Sequence, residues 1–273
     1  MACTQKYYLV EEQIVSTEWF SISDFEIGKS LYEVVKILNG KALFFEAHLQ
    51  RLRESAKKDN KTIPFSSSKV RELVNRLIQK NNVQTGRLKF LFRYHNNSIK
   101  FFAFFLNDIT PAPNLYKEGV KTVFYHAERI LPNIKMINYE LRRNVKQYIA
   151  DHNAFEALLV NKDNTLTEGS KSNFFGIIGD QLITPPEKNI LAGITRRIVF
   201  EICKEHKIDI VEQAMPIEHI IRLDSAFITG TSIAILPIKQ IDQFFPDPAN
   251  ALLNKIALSY NQKVKDYLAE KII

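Results

Sequence analysis

The chain has 273 residues, of which 45% are hydrophobic and 25% are charged, so it is long enough for two globular domains and too apolar to be disordered. Its formal net charge of +7 comes from scattered basic residues interleaved with acids, a pattern that argues against nucleic-acid binding and favours small anionic ligands. The two cysteines, Cys3 and Cys203, have no neighbours at metal-ligand spacing, which argues against a zinc site and fits a reduced cytoplasmic protein. The first twelve residues lack a signal-peptide core, and no run approaches about 18 apolar residues, so we expect neither secretion nor a membrane span.

Strands followed by two helices are predicted for residues 1–115. Asn39-Gly40 lies between apolar runs, and this dipeptide is a strong signal for a type I′ hairpin turn. Helical spacing starts at His48 and again at Ser67, with Ser67 or Ser68 as the expected N-cap of the second helix. Further strands at 86–95 and 98–106 flank Asn96-Asn97, so the two helices are expected to cover an antiparallel sheet.

A proline-containing polar stretch at 110–119 is the best linker candidate and divides the chain into domains at 1–115 and 116–273. The second domain is predicted to begin with a strand at 120–126 and a helix at 138–153, and to end with an amphipathic helix from Asn250. The strands and helices expected between them follow at 155–160, 173–179, 181–185, 195–206, 208–213, 217–222, 225–230 and 235–242. The predicted fold class is α+β, with mixed, largely antiparallel sheets and flanking helices.

The strand at 86–95 alternates in polarity, so its side chains are divided between two faces of the sheet. Arg87, Lys89 and Leu91 share one face. The opposite face carries Leu88, Phe90 and Phe92.

Three segments carry the candidate chemistry. Lys135 lies where an extended segment turns into a helix, and Glu168 lies in the turn-like run TEGSKSN at 167–173. Gly193, Ile194 and Thr195 open a helix whose first backbone N–H groups suit an anion. Taken singly, a surface lysine and a solvent-facing turn glutamate are the more ordinary readings of Lys135 and Glu168.

Together these segments form an ordered pattern: KxxN, a helix, EALLV, TxTEGSxSNFF, TP and LxGITR. This pattern resembles the pyridoxal-phosphate-dependent aminotransferase class IV family, which has fold type IV and includes D-amino-acid and branched-chain aminotransferases and aminodeoxychorismate lyase. The resemblance runs from about Gly28 to Asp242. It implies a pyridoxal 5′-phosphate cofactor in a cleft between the two domains, no metal, and a homodimer.

The resemblance also implies roles for individual residues. Lys135 matches the lysine that holds the cofactor aldehyde and moves the substrate α-proton, and Glu168 matches the partner of the pyridine nitrogen. Tyr139 matches, with a spacing one residue shorter, a tyrosine that reaches the cofactor phenolic oxygen in branched-chain members. The residues that match the phosphate-binding groups are Arg51, Ile194, Thr195 and Thr231.

Substrate contacts are expected from Tyr32 and from Lys89 or Arg87. Lys89 stands where branched-chain members tend to carry arginine and where a lyase-like sequence carries lysine. Arg93 and His95 fall too early for the carboxylate trap of D-amino-acid aminotransferases, which argues against that specificity.

We therefore expect an enzyme that exchanges an amino group between an amino acid and a 2-oxo acid, with branched-chain amino acids as the first substrate class to consider. The alternative is an aminodeoxychorismate lyase that forms 4-aminobenzoate and pyruvate. A second alternative is a non-catalytic binding protein with the same fold.

Overall fold

The computed structural model describes residues 3–21 and 27–270. Its internal contacts divide the chain into two compact units. Unit 1 comprises Met1–Ile109, Ile134–Ile137 and Asp266–Ile273, and unit 2 comprises Thr110–Asn133 and Asn138–Lys265. The linker predicted at 110–119 begins where unit 2 begins.

Unit 1 is built on a six-stranded antiparallel sheet of order β2-β1-β6-β5-β3-β4. Its strands are β1 (Tyr7–Val10), β2 (Gln13–Ser16), β3 (Lys29–Leu38), β4 (Lys41–Ala42), β5 (Thr85–His95) and β6 (Ser98–Leu106). Helices α1 (Phe45–Lys58) and α2 (Ser67–Lys80) share one apolar core with Leu88, Phe90 and Phe92 of β5. The prediction that two helices cover this sheet is confirmed.

Unit 2 contains a nine-stranded mixed sheet of order β12-β11-β10-β14-β15-β7-β8-β9-β13. The strands are β7 (Val120–His126), β8 (Glu156–Val160), β9 (Thr165–Gly169), β10 (Asn173–Ile178), β11 (Gln181–Thr184), β12 (Ile210–Glu212), β13 (Met215–Pro216), β14 (Ser225–Gly230) and β15 (Ala234–Ile241). The later helices are α3 (Leu115–Glu118), α4 (Tyr139–Asp151), α5 (Ile194–His206) and α6 (Ala251–Ala269). Short 3₁₀ helices lie at Thr17–Trp19, Glu187–Asn189 and Ile217–Arg222. The predicted α+β class with mixed sheets is confirmed.

Both predicted hairpin turns are present. Asn39 and Gly40 have φ values of 51° and 70°, and Asn96 and Asn97 have 45° and 59°, so all four adopt the left-handed conformation of a type I′ turn. Asparagine and glycine tolerate this conformation better than other residues, which is why the sequence signal was specific.

Several element boundaries differ from the predictions. Helix α1 begins at Phe45, three residues before the predicted His48. The cap of α2 is Ser66, whose hydroxyl accepts a hydrogen bond from the Lys69 amide, and not Ser67 or Ser68. The predicted helix at 217–222 is a 3₁₀ helix. In the described part of the chain, no helix combines the length and apolar composition needed to cross a membrane.

Candidate functional site

Lys135 lies on a short extended segment, Ile134–Ile137, that continues the sheet of unit 1 beside β3. Leu31 and Met136 form an antiparallel bridge, and the Tyr32 amide donates to the Lys135 carbonyl oxygen at 3.2 Å. The segment alternates as a strand does: Ile134 and Met136 pack into the helix-covered core. Lys135 is therefore presented, with Tyr32, on the sheet face opposite the two helices.

That opposite face carries a second lysine. The side chain of Lys89 is only 1% exposed, and its ammonium lies 4.6 Å from the centre of the Tyr32 ring and 5.9 Å from that of Phe104. The Lys135 ammonium lies 5.1 Å from the same Tyr32 ring. Leu91 packs with Tyr32 and Phe104 in a separate apolar cluster. The predicted alternation of β5 is confirmed, and Lys89 shares a face with Lys135.

Arg87 is two residues from Lys89 on β5 and pairs in register with Leu106. Its Nη1 donates to the Asn107 carbonyl at 2.7 Å, whereas its buried Nε has no hydrogen-bond partner among the described residues. Burial lowers the pKa of Arg87, and Asp108 opposes this effect. Arg87 therefore has a donor available for an anion on the Lys89 face.

On the helix-covered face, a buried carboxylate holds Arg51. Glu33 is 0% exposed, and it accepts Arg51 Nε at 2.8 Å on Oε1 and Arg51 Nη2 at 2.7 Å on Oε2. His48 Nδ1 lies 2.7 Å from Glu33 Oε2. Because a guanidinium has five N–H donors, this pairing orients Arg51 and leaves donors that Glu33 does not use. The predicted role of Arg51 in binding phosphate stays a prediction.

The protonation of Glu33 and His48 depends on their burial and on their charged neighbours. Burial alone would raise the pKa of Glu33, but Arg51 and His48 outweigh it and hold the pKa at about 2. Burial lowers the pKa of His48, with Glu33 opposing and with Arg51 and Lys135 adding to the decrease. These shifts favour the carboxylate form of Glu33 and the neutral form of His48.

Glu168 lies in unit 2 at the end of β9 and is 2% exposed. Its Oε1 accepts Arg129 Nη1 at 2.8 Å, and its Oε2 accepts the Leu191 amide at 3.1 Å and Asn173 Nδ2 at 3.4 Å. These three bonds fix the orientation of the buried carboxylate. A fixed, buried carboxylate is the kind of group that can pair with a protonated ring nitrogen.

The loop after Glu168 is organised around a second buried carboxylate, Glu156, at the start of β8. Glu156 accepts the Ser170 hydroxyl at 2.6 Å, the Ser172 hydroxyl at 3.2 Å, and the amides of Lys171 at 3.2 Å and Ala157 at 2.9 Å. Four donors on one carboxylate fix the backbone at 170–172. Glu156 thereby positions the chain between Glu168 and Asn173.

The start of α5 has the features of an anion site. Its N-cap is Gly193, which supplies no side-chain hydrogen bond to the first turn of this thirteen-residue helix. The hydroxyl of Thr229 is buried without a hydrogen-bond partner among the described residues, and Thr229 pairs with Asn173 across the sheet. A Cβ on Gly193 would collide with Asn173 Oδ1, so only glycine lets the helix start approach so closely. Open helix N–H groups and an unpartnered hydroxyl fit a phosphate group.

The other predicted phosphate residues lie in the same unit. Ile194 and Thr195 are the first two residues of α5 and are both buried. Thr195 hydrogen-bonds the Tyr260 hydroxyl, whose pKa burial raises to about 12. Thr231 lies two residues beyond Thr229, just after β14.

Tyr139 is the first residue of α4 and is 38% exposed. The helix is capped by Asn138, whose side chain accepts the Leu141 amide at 3.0 Å. The turn into a helix predicted beside Lys135 thus occurs four residues after it. A role for Tyr139 toward the cofactor stays a prediction.

Sequence reasoning missed Glu33, Arg129 and Glu156. Glu33 lies on the face of β3 whose other residues, Leu31, Val35 and Ile37, enter the core, and Glu156 begins a strand that is buried throughout. An acid at each of these positions was therefore a usable signal. Arg129 lies in a segment without periodicity, between β7 and α4, and nothing local indicates its pairing with Glu168.

The sequence and the fold are both similar to those of known proteins. Residues 30–241 match the family model for amino-transferase class IV. The D-alanine aminotransferase of Listeria monocytogenes is 30% identical over 232 residues, 80% of each chain. A branched-chain amino acid aminotransferase from T.th., solved with pyridoxamine 5′-phosphate, superposes with a TM-score of 0.86 at 18% identity over 97% of this chain and 96% of that one. A putative 4-amino-4-deoxychorismate lyase from Legionella pneumophila superposes with a TM-score of 0.77 at 24% identity over 89% and 94%.

Proposed function

The chain belongs to the class IV aminotransferase family, and we propose that it exchanges an amino group between an amino acid and a 2-oxo acid. Family membership confirms the expected resemblance, an enzymatic role and the pyridoxal 5′-phosphate cofactor. The observation that carries the proposal is the placement of Lys135 beside Tyr32 and Lys89 on one sheet face.

The residues of each unit fit parts of this cofactor. When bound, pyridoxal 5′-phosphate withdraws electrons from the substrate α-carbon. In unit 1, Lys135 Nζ would hold the aldehyde carbon and carry the α-proton, and Arg51, oriented by Glu33, would bind phosphate. In unit 2, Glu168 would accept the pyridine N–H, and the start of α5 with Ile194, Thr195 and Thr231 would bind phosphate.

For the substrate we propose an amino acid with an apolar side chain, with branched-chain L-amino acids as the first class to test. Tyr32, Leu91, Phe102 and Phe104 form the apolar cluster around Lys89. Burial of a hydrocarbon side chain against such residues contributes about 0.8 kcal/mol per CH₂ group. Lys89 and Arg87 on the same face supply positive charge for a carboxylate.

The second candidate function is aminodeoxychorismate lyase activity. Lys89 favours it, because an ammonium close to the reactive lysine suits a substrate with a second carboxylate. The transferase and the lyase share the cofactor and the lysine. Product analysis is therefore needed to separate them.

The test is a product assay on the purified holoenzyme. Leucine with 2-oxoglutarate, D-alanine with 2-oxoglutarate, and aminodeoxychorismate alone are each incubated with wild type, Lys135→Ala and the exposed-lysine control Lys100→Ala. We expect glutamate from leucine with wild type and Lys100→Ala, and none with Lys135→Ala. Pyruvate from aminodeoxychorismate without glutamate in the other mixtures would replace the transferase with the lyase. A protein that takes up no cofactor and shows no visible absorption band would contradict both enzymatic functions.

We also propose a cytoplasmic homodimer, as the family resemblance implies. Several large apolar side chains are exposed in the single chain, including Trp19 at 75% and Ile130 at 79%. Such residues are candidates for burial between subunits. Light scattering on the eluting protein tests this: a mass near 31.6 kDa would indicate a monomer, and twice that mass a dimer.

A further inference from the structure

We propose that Lys89 acts as an electrostatic positioning residue that keeps the Lys135 amine partly unprotonated, through the Tyr32 ring that both ammonium groups contact. Lys89 is thereby more than a contact for substrate. This inference relies on the proposed function only for the identity of Lys135 as the reactive amine.

The ammonium groups of Lys89 and Lys135 lie close to each other. The Lys89 and Lys135 ammonium groups lie 4.6 Å and 5.1 Å from the same ring centre, so their separation is no greater than the sum of these distances. Two like charges within about 10 Å at an effective dielectric constant of about 20 repel enough to lower a titration midpoint by about one unit. The repulsion disfavours two simultaneous positive charges.

The two lysines differ in the surroundings that stabilise a bound proton. Lys89 is 1% exposed and faces two aromatic rings, those of Tyr32 and Phe104, whose negative faces stabilise a cation. Lys135 is less buried, on the extended segment bridged to β3. Burial opposes a charge on Lys89. Its contact with Phe104, added to the Tyr32 contact that both lysines make, offsets this opposition, so we assign the proton to Lys89 and the effect of the repulsion to Lys135.

Other charged groups of unit 1 lie near the two lysines. Strand β5 brings Arg87 and Arg93 to the face of Lys89, and the Arg93 guanidinium lies 5.4 Å from the centre of the Phe102 ring. Helix α1 brings His48 and Arg51, and β3 brings Glu33. Glu33 bonds directly to both Arg51 and His48, so its negative charge is largely offset. Burial chiefly lowers the pKa of His48, and Lys135 adds to the decrease. The Lys135 amide donates to the Ser55 hydroxyl of α1 at 3.3 Å, so this segment lies against the helix that carries His48.

The repulsion from Lys89 affects the reactivity of the Lys135 amine. An amine attacks a carbonyl carbon and accepts a proton only when it is neutral, and a free lysine is almost fully protonated at neutral pH. A fixed neighbouring cation increases the neutral fraction without placing an acid or base in contact with Lys135. A lowered midpoint of one unit raises that fraction about tenfold.

The experiment measures the titration of Lys135 without catalysis. Full-length protein freed of cofactor is treated briefly with acetic anhydride at a series of pH values, and acetylation of the Lys135 peptide is quantified by mass spectrometry. We expect a midpoint about one unit or more below that of exposed Lys100 in wild type and in Lys89→Arg, and a rise of about one unit in Lys89→Met. Methionine keeps most of the side-chain volume without the charge.

Two results would overturn the inference. One is a titration midpoint of Lys135 in the wild-type protein that equals the midpoint of exposed Lys100. This measurement requires no Lys89 variant, so it can be made even if Lys89→Met fails to fold. The other is a folded Lys89→Met protein whose Lys135 midpoint equals that of wild type, which would leave Lys89 with a substrate contact alone and an effect on KM only. Because the labelling uses neither cofactor nor substrate, failure of the proposed amino transfer would leave this result interpretable.

Discussion

Arg51 on α1 and Glu33 on β3 form a two-bond ion pair in the core of unit 1, with Nε to Oε1 at 2.8 Å and Nη2 to Oε2 at 2.7 Å. The pair joins helix α1 to strand β3, and His48 shares the same carboxylate. A buried ion pair adds little stability relative to apolar residues, but breaking it leaves an uncompensated charge. Glu33 lies on the same strand as Tyr32, and its two bonds orient the Arg51 guanidinium.

Glu33→Gln is expected to lower the free energy of unfolding by about 3 to 5 kcal/mol, because Arg51 remains buried without its anion. Urea denaturation followed by circular dichroism measures this change. The matched control is Glu54→Gln, an exposed glutamate of α1 whose carboxylate accepts a hydrogen bond from the Gln50 side chain, for which we expect a change below about 0.5 kcal/mol. Equal effects of the two substitutions would show that Glu33 is not the anchor of this cluster.

Acid should destabilise the protein through Glu33. Because its folded-state pKa is held at about 2, below the ordinary value of 4.5, the stabilisation is complete above pH 4.5 and is lost as the pH falls toward 2. The loss corresponds to about 3 kcal/mol. Urea midpoints at pH 6, 4.5, 3 and 2 should show a smaller decrease in Glu33→Gln than in wild type over that interval. Parallel curves for the two proteins would refute the assignment.

Glu156→Gln should disturb the loop that follows Glu168. An amide nitrogen cannot accept hydrogen bonds, so some of the donors from Ser170, Lys171 and Ser172 lose their acceptor. We expect a loss of about 2 kcal/mol in stability and weaker cofactor binding, measured by urea denaturation and by titration of cofactor-free protein with pyridoxal 5′-phosphate. Exposed Glu218→Gln serves as the control, and a Glu156→Gln protein that binds cofactor as wild type does would contradict the prediction.

Gly193→Ala should weaken cofactor binding through steric displacement. Gly193 has φ −71°, which alanine adopts readily, so the effect comes from the collision of the new Cβ with Asn173. Asn173 bonds both Glu168 and the Leu191 carbonyl, and moving it disturbs the carboxylate and the helix start together. We expect a rise in cofactor Kd of about tenfold, equivalent to about 1.4 kcal/mol.

Gly86→Ala in unit 1 is the matched control for Gly193→Ala. Its added Cβ would lie 3.3 Å from the Val83 side chain, a contact that a small shift relieves. An unchanged Kd in Gly193→Ala, or the same rise in both variants, would show that close packing at the helix start is unimportant for cofactor binding.

Local features of the fold could be predicted from the sequence. The Asn39-Gly40 turn and the alternation of β5 depend on neighbouring residues, and both are present. The position of Lys135 beside Tyr32 could not be predicted, because it depends on a bridge between Leu31 and Met136, which are more than a hundred residues apart. Pairing across such a distance is decided by the packing of the whole unit and not by any local pattern.

The candidate site also depends on contacts between residues that are distant in the sequence. Family resemblance assigned Arg51 and Glu168 as cofactor-binding residues, but the groups that hold them, Glu33 and Arg129, come from other elements. Their roles arise from burial, since an ion pair in the interior requires a partner that a surface residue would not need. The pairing of Arg129 with Glu168 therefore became visible only with the structure, whereas an acid at Glu33 among the apolar residues of β3 was a usable signal in the sequence.

The central claim is that Lys135 performs a reversible exchange of an amino group, and the most direct measurement is the isolated first half of that exchange. Holoenzyme is mixed with an excess of leucine without any 2-oxo acid, and the released 2-oxo acid is counted per site. We predict one equivalent of product and a shift of the visible band, continued turnover only after 2-oxoglutarate is added, and neither response in Lys135→Ala. With aminodeoxychorismate in place of leucine, many equivalents of pyruvate without an acceptor, or no product from any amino acid despite bound cofactor, would contradict it.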